Sequence, residues 1–593
     1  MSDTESPNNQ PDRRHPDCHQ APRDWPNNHR IGRWLRGQLG NDETLAFWIK
    51  LFFCRPRDLF SQGVTFIPNG PYGGALPAST ATLEQLERRA DEQPTDHVRL
   101  LPAFAVAHDP PPRIVGSAGL PLPMGRDAPN AIVFGRSGAG KTEAVVFPAI
   151  LHGLAEGWSV VAINVKGRRQ TQTLRALARA CGRESEFQVV APRALDRTVG
   201  YSPLAACTDL AQSSRLAESI VVAAGARSRH EGGAWAYNQA QQWLKFAIDA
   251  LIRDLPPGLR TLDHLRDVIL AGQYDTFAER HPNIAYLRRF ARYAEGNTNG
   301  QTISETISEC TAFIDEIVPF LAADELDLGR FAREGGVLVI EIDEHDIEYL
   351  RVVVTILLGQ LLQTLQQTAR GRRDGRLARK TLIAIDELAA AGPVPGLASA
   401  LHTCRDAGFC FVAGTQSITQ LGAIYGDKAD VVLSGFQTRI ALGGGLDAPT
   451  AEAFSRWSGM ATGISPTAIA PDGDDGDVSI LGGWQPFARP LLLPGDVANP
   501  VPHPQLGPPA TVICGDGLTP PFQAYLTRSY QHGFLARLAA EAANAPESEG
   551  RRDKPLKWPK RRGAPRPERR SDNEAPKEGD RPLLPRDEDD IPF

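Results

Sequence analysis

The sequence has few of the features that mark secreted, metal-stapled or membrane-spanning proteins. Its eight cysteines are scattered, with no C-x-x-C pair and no zinc-ligand spacing, which favours reduced thiols in a cytosolic setting. There is no recognisable secretory signal. No apolar run reaches the roughly 18 residues that a membrane helix requires. The nearest candidate, residues 45–53, is interrupted by Lys50, and we predict a buried helix there.

Net charge and length limit the function classes further. The net charge of −6 excludes a globally basic nucleic-acid binder. Any binding of nucleic acid must therefore come from local patches or from the inside of a ring. A chain of 593 residues has room for several domains and a large core.

The stretch from Gly135 to Thr142 organises the rest of the chain. It reads Gly135-Arg136-Ser137-Gly138-Ala139-Gly140-Lys141-Thr142, which is G-x-x-x-x-G-K-S/T between an apolar run and a helical pattern. Its glycines let backbone N–H groups face phosphate oxygens, and the helix start adds partial positive charge. We predict a nucleotide site in which Lys141 contacts the β- and γ-phosphates and Thr142 holds Mg²⁺. A glycine-rich turn that binds nothing is the alternative.

Short apolar runs separated by helical stretches indicate an α/β fold with a mostly parallel sheet covered on both faces. The predicted strands are 131–134, 159–164, 187–191, 337–342, 382–385, 409–414, 439–443 and 511–514. Between about 205 and 330 the strand signals stop. Apolar residues there repeat at helical spacing, at Ala240, Leu244, Ala247 and Leu251. This pattern predicts helices whose apolar stripe is ordinary core.

Composition predicts five regions along the chain. They are a disordered N-terminus (1–30), an N-terminal region of unassigned role (31–128), a nucleotide-binding domain (129–204 and 331–530), an inserted all-alpha domain (205–330) and a disordered basic tail with an acidic tip (544–593). The basic half of the tail contains Trp558. It either holds a nucleic-acid backbone and stacks one base, or it is a solvated charged tail.

Polar residues at other strand ends suit a P-loop enzyme. Asp386 and Glu387 end an apolar strand. We expect Asp386 to hold Mg²⁺ through water, and Glu387 to orient and deprotonate the attacking water. Gln416 ends the next strand, where it can sense the γ-phosphate or position water. Arg405 either reaches into a neighbouring subunit's site, where it stabilises transition-state charge, or forms a surface salt bridge.

These residues resemble the type IV coupling proteins, the TraG/TraD-like ATPases of conjugation and type IV secretion. The resemblance covers roughly 115–530, and the block from Asp386 to Gly426 is its most specific part. Its remaining blocks are Val165-Lys166-Gly167, Tyr201-Ser-Pro-Leu204, Asp447-x-x-Thr450-Ala451 and Leu493-Pro494-Gly495-Asp496. It implies a RecA-like P-loop motor domain with an inserted all-alpha domain. It also implies a homo-hexameric ring that hydrolyses ATP with Mg²⁺ and moves single- or double-stranded DNA through its pore.

The same resemblance implies partners, a location and site roles. The implied partners are a relaxase or relaxosome, the type IV secretion channel ATPases and inner-membrane components. The implied location is cytoplasmic, docked peripherally at the inner membrane. Arg405 would be the trans-acting finger and Gln416 the phosphate sensor. The chain departs from the family at Asn164-Val-Lys-Gly-Arg168, where Asp-Pro-Lys-Gly-Glu is usual, so no role is carried over to acids there. It has Ser202 where the family usually has asparagine.

Two other functions compete with that of a coupling ATPase. One is an FtsK-like or HerA-like DNA translocase of segregation or repair, against which the helical insert and the block from Thr415 to Leu421 argue. The other is a secretion adaptor that recruits protein effectors and uses nucleotide only for assembly.

The last residues carry a second resemblance. Asp589-Asp590-Ile591-Pro592-Phe593, preceded by further acids, looks like the C-terminal tip of bacterial single-stranded DNA-binding proteins. That tip docks into basic, apolar-floored pockets of replication and repair proteins. The Phe593 ring would fill the pocket and its carboxylate would meet an arginine. An acidic tail that only happens to end in phenylalanine is the alternative.

Deleting residues 591–593 tests the tip. The deletion removes both the ring and the carboxylate, so we expect pull-down of host DNA-maintenance proteins by the full chain to be lost. A deletion of equal length at 575–577 is the control and should leave pull-down unchanged. Equal capture by both deleted proteins would remove the tip hypothesis.

Overall fold

A large central sheet dominates the computed structural model. The model describes residues 65–67, 77–107, 113–117, 119–124, 129–225, 234–256, 259–294, 298–466, 469–472, 477–480, 484–546, 550–552 and 554–557. The strands are β1 (Thr65–Ile67), β2 (His97–Arg99), β3 (Ala103–Ala107), β4 (Arg113–Ser117), β5 (Pro121–Pro123), β6 (Ala131–Phe134), β7 (Ser159–Asn164), β8 (Phe187–Val190), β9 (Val337–Glu341), β10 (Thr381–Ile385), β11 (Phe409–Thr415), β12 (Thr438–Leu442), β13 (Met460–Pro466), β14 (Ile469–Asp472), β15 (Asp477–Ile480), β16 (Trp484–Pro490), β17 (Ala510–Ile513) and β18 (Phe522–Leu526).

The helices cover the sheet and fill the long connection after β8. They are α1 (Thr80–Glu92), α2 (Phe147–Ala155), α3 (Arg168–Ala180), α4 (Leu210–Gly225), α5 (Ala234–Asp254), α6 (Leu262–Ala271), α7 (Tyr274–Arg280), α8 (Ala285–Ala294), α9 (Thr298–Thr311), α10 (Phe313–Leu321), α11 (Leu328–Glu334), α12 (Ile347–Arg370), α13 (Leu388–Ala391), α14 (Leu397–Ala407), α15 (Ile418–Tyr425), α16 (Ala429–Ser434), α17 (Ala448–Trp457), α18 (Pro494–Ala498) and α19 (Gly533–Ala543).

The central sheet has eleven strands in the order β4-β3-β18-β17-β12-β6-β11-β10-β7-β9-β8. All pairings from β12 through β8 are parallel. The predicted α/β fold with a mostly parallel sheet is therefore confirmed. Each of the eight predicted strands is present, with its ends within one residue of the prediction, which is within the usual scatter of boundary assignment.

Four antiparallel strands extend the sheet beyond β12. They pair in the order β12, β17, β18, β3 and β4. Strands β3 and β4 precede residue 129, so the sheet includes residues on both sides of the boundary placed there from composition. Their sequences, AFAVA and RIVGS, lie in a proline-rich region. Only their pairing with β18 shows that they belong to the sheet.

Both faces of the parallel strands are buried, as expected for a sheet that carries helices on both sides. In β6, Ile132 and Phe134 pack into the core beneath the helical connection, α12 and α14. Ala131 and Val133 pack into the opposite core with α2, α3 and α19. Every residue of β6 is fully buried, so this strand anchors the loop that follows it.

Helices fill the chain between β8 and β9. In the described parts of residues 191–336, the elements are helices α4 to α11 and no strand occurs. The predicted stripe forms their core, since Ala240, Leu244 and Ala247 are fully buried. Trp243 is 1% exposed, and its ring centroid lies 5.4 Å from that of Tyr274.

Helix α12 is the one described helix that is long and apolar enough to cross a membrane, judged by length and composition. The span Tyr349–Arg370 has a mean hydropathy of 1.2, and 67% of it is buried inside the fold. Its Leu357 and Leu361 are fully buried in the core beneath the sheet. This burial accounts for the apolar composition of the helix.

The first part of the predicted disordered tail is ordered. The Arg552 amide donates to the Asp196 carbonyl at 2.6 Å, and the Leu556 amide donates to the Leu195 carbonyl at 2.9 Å. The Arg552 guanidinium also pairs with both carboxylate oxygens of Glu325. The remaining basic residues from Trp558 onward, the N-terminus before residue 65 and the tip at 589–593 lie outside the described residues.

Asn130 fixes the start of β6. Its Nδ2 donates to the carbonyls of Leu401 and Gly435, each at 2.8 Å. Its Oδ1 accepts from the Phe411 amide at 3.0 Å. The side chain is fully buried, and an unpaired amide there would carry a large desolvation cost. Asn130 thus ties β6 to β11 and α14 at the end opposite the nucleotide loop.

Candidate nucleotide site

The loop after β6 has the backbone that phosphate binding requires. Gly138 and Gly140 have φ angles of 76° and 94°, a left-handed region that favours glycine. Lys141 folds back so that its Nζ donates to the Gly135 carbonyl at 2.8 Å. A π-helical turn, Thr142–Val146, then leads into α2. The N–H groups of this helix start therefore face the space enclosed by the loop.

Thr142 and Asp386 meet at the end of β10. The Thr142 hydroxyl donates to an Asp386 carboxylate oxygen, and both side chains are buried, at 5% exposure. Lys166 joins them from the connection after β7. Its Nζ donates to Thr142 Oγ1 at 2.5 Å and lies 3.5 Å from Asp386 Oδ2. A hydroxyl and a carboxylate held together are the hard oxygen ligands that Mg²⁺ prefers.

Glu387 lies beside the lysine of the loop. Its Oε2 is 3.6 Å from Lys141 Nζ, and the nearby Gln416 side chain lowers the pKa of the same carboxyl. Burial raises the pKa of the Glu387 carboxyl, Lys141 opposes this, and the Asp386 carboxylate raises it further. Burial also lowers the pKa of Lys141, while the two carboxylates oppose that shift. The other oxygen, Glu387 Oε1, is buried with no hydrogen-bond partner in the described structure.

These groups suit a nucleoside triphosphate with a divalent metal. The loop supplies amides and Lys141 for the phosphates, and Thr142 and Asp386 supply oxygen ligands. Glu387 has one oxygen beside Lys141 and one without a hydrogen-bond partner. Such a carboxylate can accept a hydrogen bond from an attacking water. The residues present therefore fit Mg²⁺ and a triphosphate.

Comparison with known protein families identifies the family to which this chain belongs. The profile of the type IV secretion-system coupling protein DNA-binding domain matches residues 115–464, more than half of the chain. The chain belongs to the type IV secretion-system coupling proteins. Its function is therefore DNA transport coupled to type IV secretion. The search of curated proteins found no match.

Solved structures of coupling proteins share the fold of this chain. Bacterial conjugative coupling protein TrwBdeltaN70 in complex with sulphate is 19% identical, with 77% of this chain and 95% of that chain covered at a TM-score of 0.53. TrwB in complex with the GTP analogue GDPNP is 20% identical, over 70% and 89% of the two chains, at 0.52. TrwB in complex with the ATP analogue ADPNP is 19% identical, over 76% and 94%, also at 0.52.

The fold of this coupling protein brings most of the residues expected at the site together. Lys141, Thr142, Asp386, Glu387 and Gln416 are linked by the contacts above. Arg405 is different. It lies in the last turn of α14, its side chain is 47% exposed, and its Nε is 3.7 Å from an Asp406 oxygen. In the described structure its nearest charged partner is therefore Asp406, and it takes no part in the contacts that join Lys141, Thr142, Asp386 and Glu387.

Three further residues at the site were missed by sequence reasoning. Lys166 lies in the block where the acidic residues usual in the family are replaced, and no role was predicted for this lysine. Gly414 lies where β11 passes β10, and a Cβ on it would come within 2.3 Å of the Asp386 carbonyl. Arg528 Nη2 donates to the Ala139 carbonyl at 3.1 Å. Residue 528 lies nearly 400 positions further along the chain, so no local pattern could have shown this contact.

Gly414→Ala is expected to disturb the site without removing any of its side chains. The new methyl group collides with backbone, which cannot move aside freely, so β10 and Asp386 must shift. We expect a loss of about 1–3 kcal/mol in the free energy of unfolding and weaker binding of a fluorescent ATP analogue.

Gly422→Ala is the matched control. A Cβ on Gly422 has no atom within 4 Å, and alanine favours the helix that contains it, so stability should stay equal or rise by up to about 1 kcal/mol. Denaturant unfolding and nucleotide titration measure both effects. If both variants bind the ATP analogue as tightly as the parent protein, the close approach of Gly414 to Asp386 does not shape the site.

Proposed function

We propose that this coupling protein is an ATPase whose hydrolysis drives DNA through a ring of identical subunits. The observation that carries the proposal is the meeting of the phosphate loop with Asp386, Glu387 and Gln416 at the carboxyl ends of adjacent parallel strands. A carboxylate pair beside a phosphate loop can hold the metal and orient the attacking water, which suits nucleotide hydrolysis.

Each residue has a distinct task in the proposed reaction. Lys141 and the loop amides bind the β- and γ-phosphates, and Thr142 with Asp386 holds Mg²⁺. When bound, the metal neutralises charge that develops on the phosphate oxygens. Glu387 orients a water molecule through Oε1 and accepts its proton, Lys141 holds the carboxylate in position, and Gln416 senses the γ-phosphate or positions water. The cofactors ATP and Mg²⁺ are supported by TrwB structures described as complexes with ADPNP and with ADP and Mg²⁺.

The helical connection offers a surface for the DNA backbone. Arg288, Arg289 and Arg292 are exposed on α8, and together with Ala285 they line a cavity of about 430 Å³. Their spacing of three and four residues places them on one face of the helix. A chain of net charge −6 can bind DNA through such a local patch, and affinity should then fall steeply with salt.

The finer assignments are part of the same proposal. Subunits assemble as a homo-hexamer in which Arg405 acts on the neighbouring subunit's phosphates. The partners are the relaxase or relaxosome, the channel ATPases and the inner-membrane components of the secretion system. Host proteins that recognise the tip at 589–593 are a further partner class. The protein works on the cytoplasmic side and docks peripherally at the inner membrane. The inserted region 205–330 acts as a domain of its own.

Glu387→Gln separates a motor from a nucleotide-dependent adaptor. The amide keeps the size of the side chain but cannot accept a proton, so we expect ATP to bind within about threefold of the parent affinity. Hydrolysis should fall by 10²-fold or more, and DNA transfer should stop. ATPase rates with and without DNA, together with a conjugation assay, measure this.

Transfer that survives loss of hydrolysis would favour the adaptor function. ATPase activity that survives Glu387→Gln would remove Glu387 from the role of base. Gln242→Ala, an exposed amide on α5, is the control and should leave binding, hydrolysis and transfer unchanged.

Mixing two inactive variants tests the shared site. Lys141→Ala removes the lysine proposed to bind the phosphates, and Arg405→Ala removes the arginine proposed to act on the neighbouring site. A ring made of either variant alone should therefore have little ATPase activity. Mixed rings contain subunit interfaces at which the intact phosphate loop of one subunit faces the intact Arg405 of its neighbour. We therefore expect the mixture to recover part of the activity, with a maximum near equal proportions.

The control mixture pairs Lys141→Ala with Arg330→Ala. Arg330 is exposed on α11 and bonds to Glu334 within its own helix, so Arg330→Ala alone should be fully active. Mixing should then only dilute its activity. Full activity of Arg405→Ala alone, or no recovery on mixing, would contradict a site completed by the neighbouring subunit.

A further inference from the structure

A short segment after β18 contacts the phosphate loop on the side away from Asp386 and Glu387. Arg528 Nη2 donates to the Ala139 carbonyl at 3.1 Å. The Ser529 hydroxyl donates to the Glu143 carboxylate, one residue beyond Thr142. A Cβ on Gly140 would lie 2.8 Å from Arg528 Nε. The segment therefore touches both the middle of the loop and the start of the helix that follows.

The sheet order separates this segment from the hydrolytic residues. From β6, the sheet runs through β11 to β10 on one side, and Asp386 and Glu387 follow β10. On the other side it runs through β12 and β17 to β18, which precedes Arg528. A triphosphate whose terminal phosphate points to Glu387 has its other end directed toward the Arg528 side of the loop.

Tyr530 offers a flat surface at that place. Its side chain is 55% exposed, and its hydroxyl accepts a hydrogen bond from Arg528 Nη1 at 2.7 Å. The backbone around it is also held, since the Arg528 amide donates to Gln531 Oε1 at 2.8 Å. Exposed, oriented aromatic rings stack on nucleic-acid bases, and such stacking tolerates any base because each has a π face.

We propose that Arg528, Ser529 and Tyr530 form the nucleoside subsite, in which the Tyr530 ring stacks on the purine base. This inference rests on the nucleotide site proposed above. Arg528 is a positioning residue that holds both the tyrosine and the loop. Ser529 ties the segment to the helix start through Glu143. Since a stacked ring reads the face of a base and not its edges, ATP and GTP should bind with similar affinity.

The test compares three ligands on the full chain: ATP, GTP and inorganic tripolyphosphate. Tyr530→Ala should weaken ATP and GTP by about tenfold and leave tripolyphosphate unchanged. Tyr530→Phe keeps the ring and should stay within about threefold of the parent for all three. Isothermal titration gives the affinities. Tyr349→Ala, which removes a tyrosine of similar exposure (51%) on α12, should change none of them.

Arg528 has a separate signature. Arg528→Ala loosens the loop as well as the tyrosine, so it should weaken tripolyphosphate together with the nucleotides. Arg528→Lys should restore part of the tripolyphosphate affinity, which a general loss of folding would not allow.

The inference is overturned if Tyr530→Ala binds ATP as tightly as the parent, or if it weakens tripolyphosphate as much as ATP. A tenfold preference of the parent protein for ATP over GTP would also contradict stacking without edge recognition. Lys141→Ala should lose all three ligands. If it keeps them, the nucleotide site itself is misplaced, which is a different failure from an unchanged Tyr530→Ala.

Discussion

The site depends on the close approach of two neighbouring parallel strands, β10 and β11, at their carboxyl ends. Gly414 leaves its Cα within reach of the Asp386 carbonyl, where a side chain has no room. This contact keeps Asp386 and Glu387, after β10, level with Gln416, after β11, along the edge of the sheet. Parallel strands present their carboxyl ends at a common edge of the sheet, so β6 delivers its loop to the same place. Asn130, bonded to Leu401, Gly435 and Phe411, secures the opposite end of that arrangement.

Charge within the site is balanced by pairs of opposite sign. Lys141 Nζ lies 3.6 Å from the Glu387 carboxylate, and Lys166 Nζ lies 3.5 Å from the Asp386 carboxylate. Burial alone would favour the neutral form of each buried group. Burial lowers the pKa of Lys141 and raises the pKa of Glu387, and the attraction between these two groups opposes both shifts. The proposed binding of a triphosphate and its metal would exchange these ion pairs for other pairs of opposite charge.

Distant parts of the chain brace the phosphate loop and the helical connection. Residues 528–530 follow β18, on the antiparallel side of the sheet, and return to the phosphate loop. Residues 552 and 556 bond to the connection that leaves β8, and Arg552 also pairs with Glu325 after α10. The segment therefore joins the entrance and the exit of the helical connection. Two arginines of the basic tail, 551 and 552, are engaged by Asp196 and Glu325, so nucleic acid could contact only the later ones without breaking these pairs.

Local patterns determined the parallel strands, the phosphate loop and the carboxylate pair, because each depends on a short run of residue types with a fixed spacing. The eight predicted strands and the cluster of Lys141, Thr142, Asp386, Glu387 and Gln416 follow from such runs. Only the tertiary structure decided that β3 and β4 extend the sheet, that Lys166 reaches Thr142 and Asp386, and that Arg528 lies on the loop. The last of these contacts joins residues 389 positions apart. Their partners are chosen by the packing of the whole chain, which no short window of sequence contains.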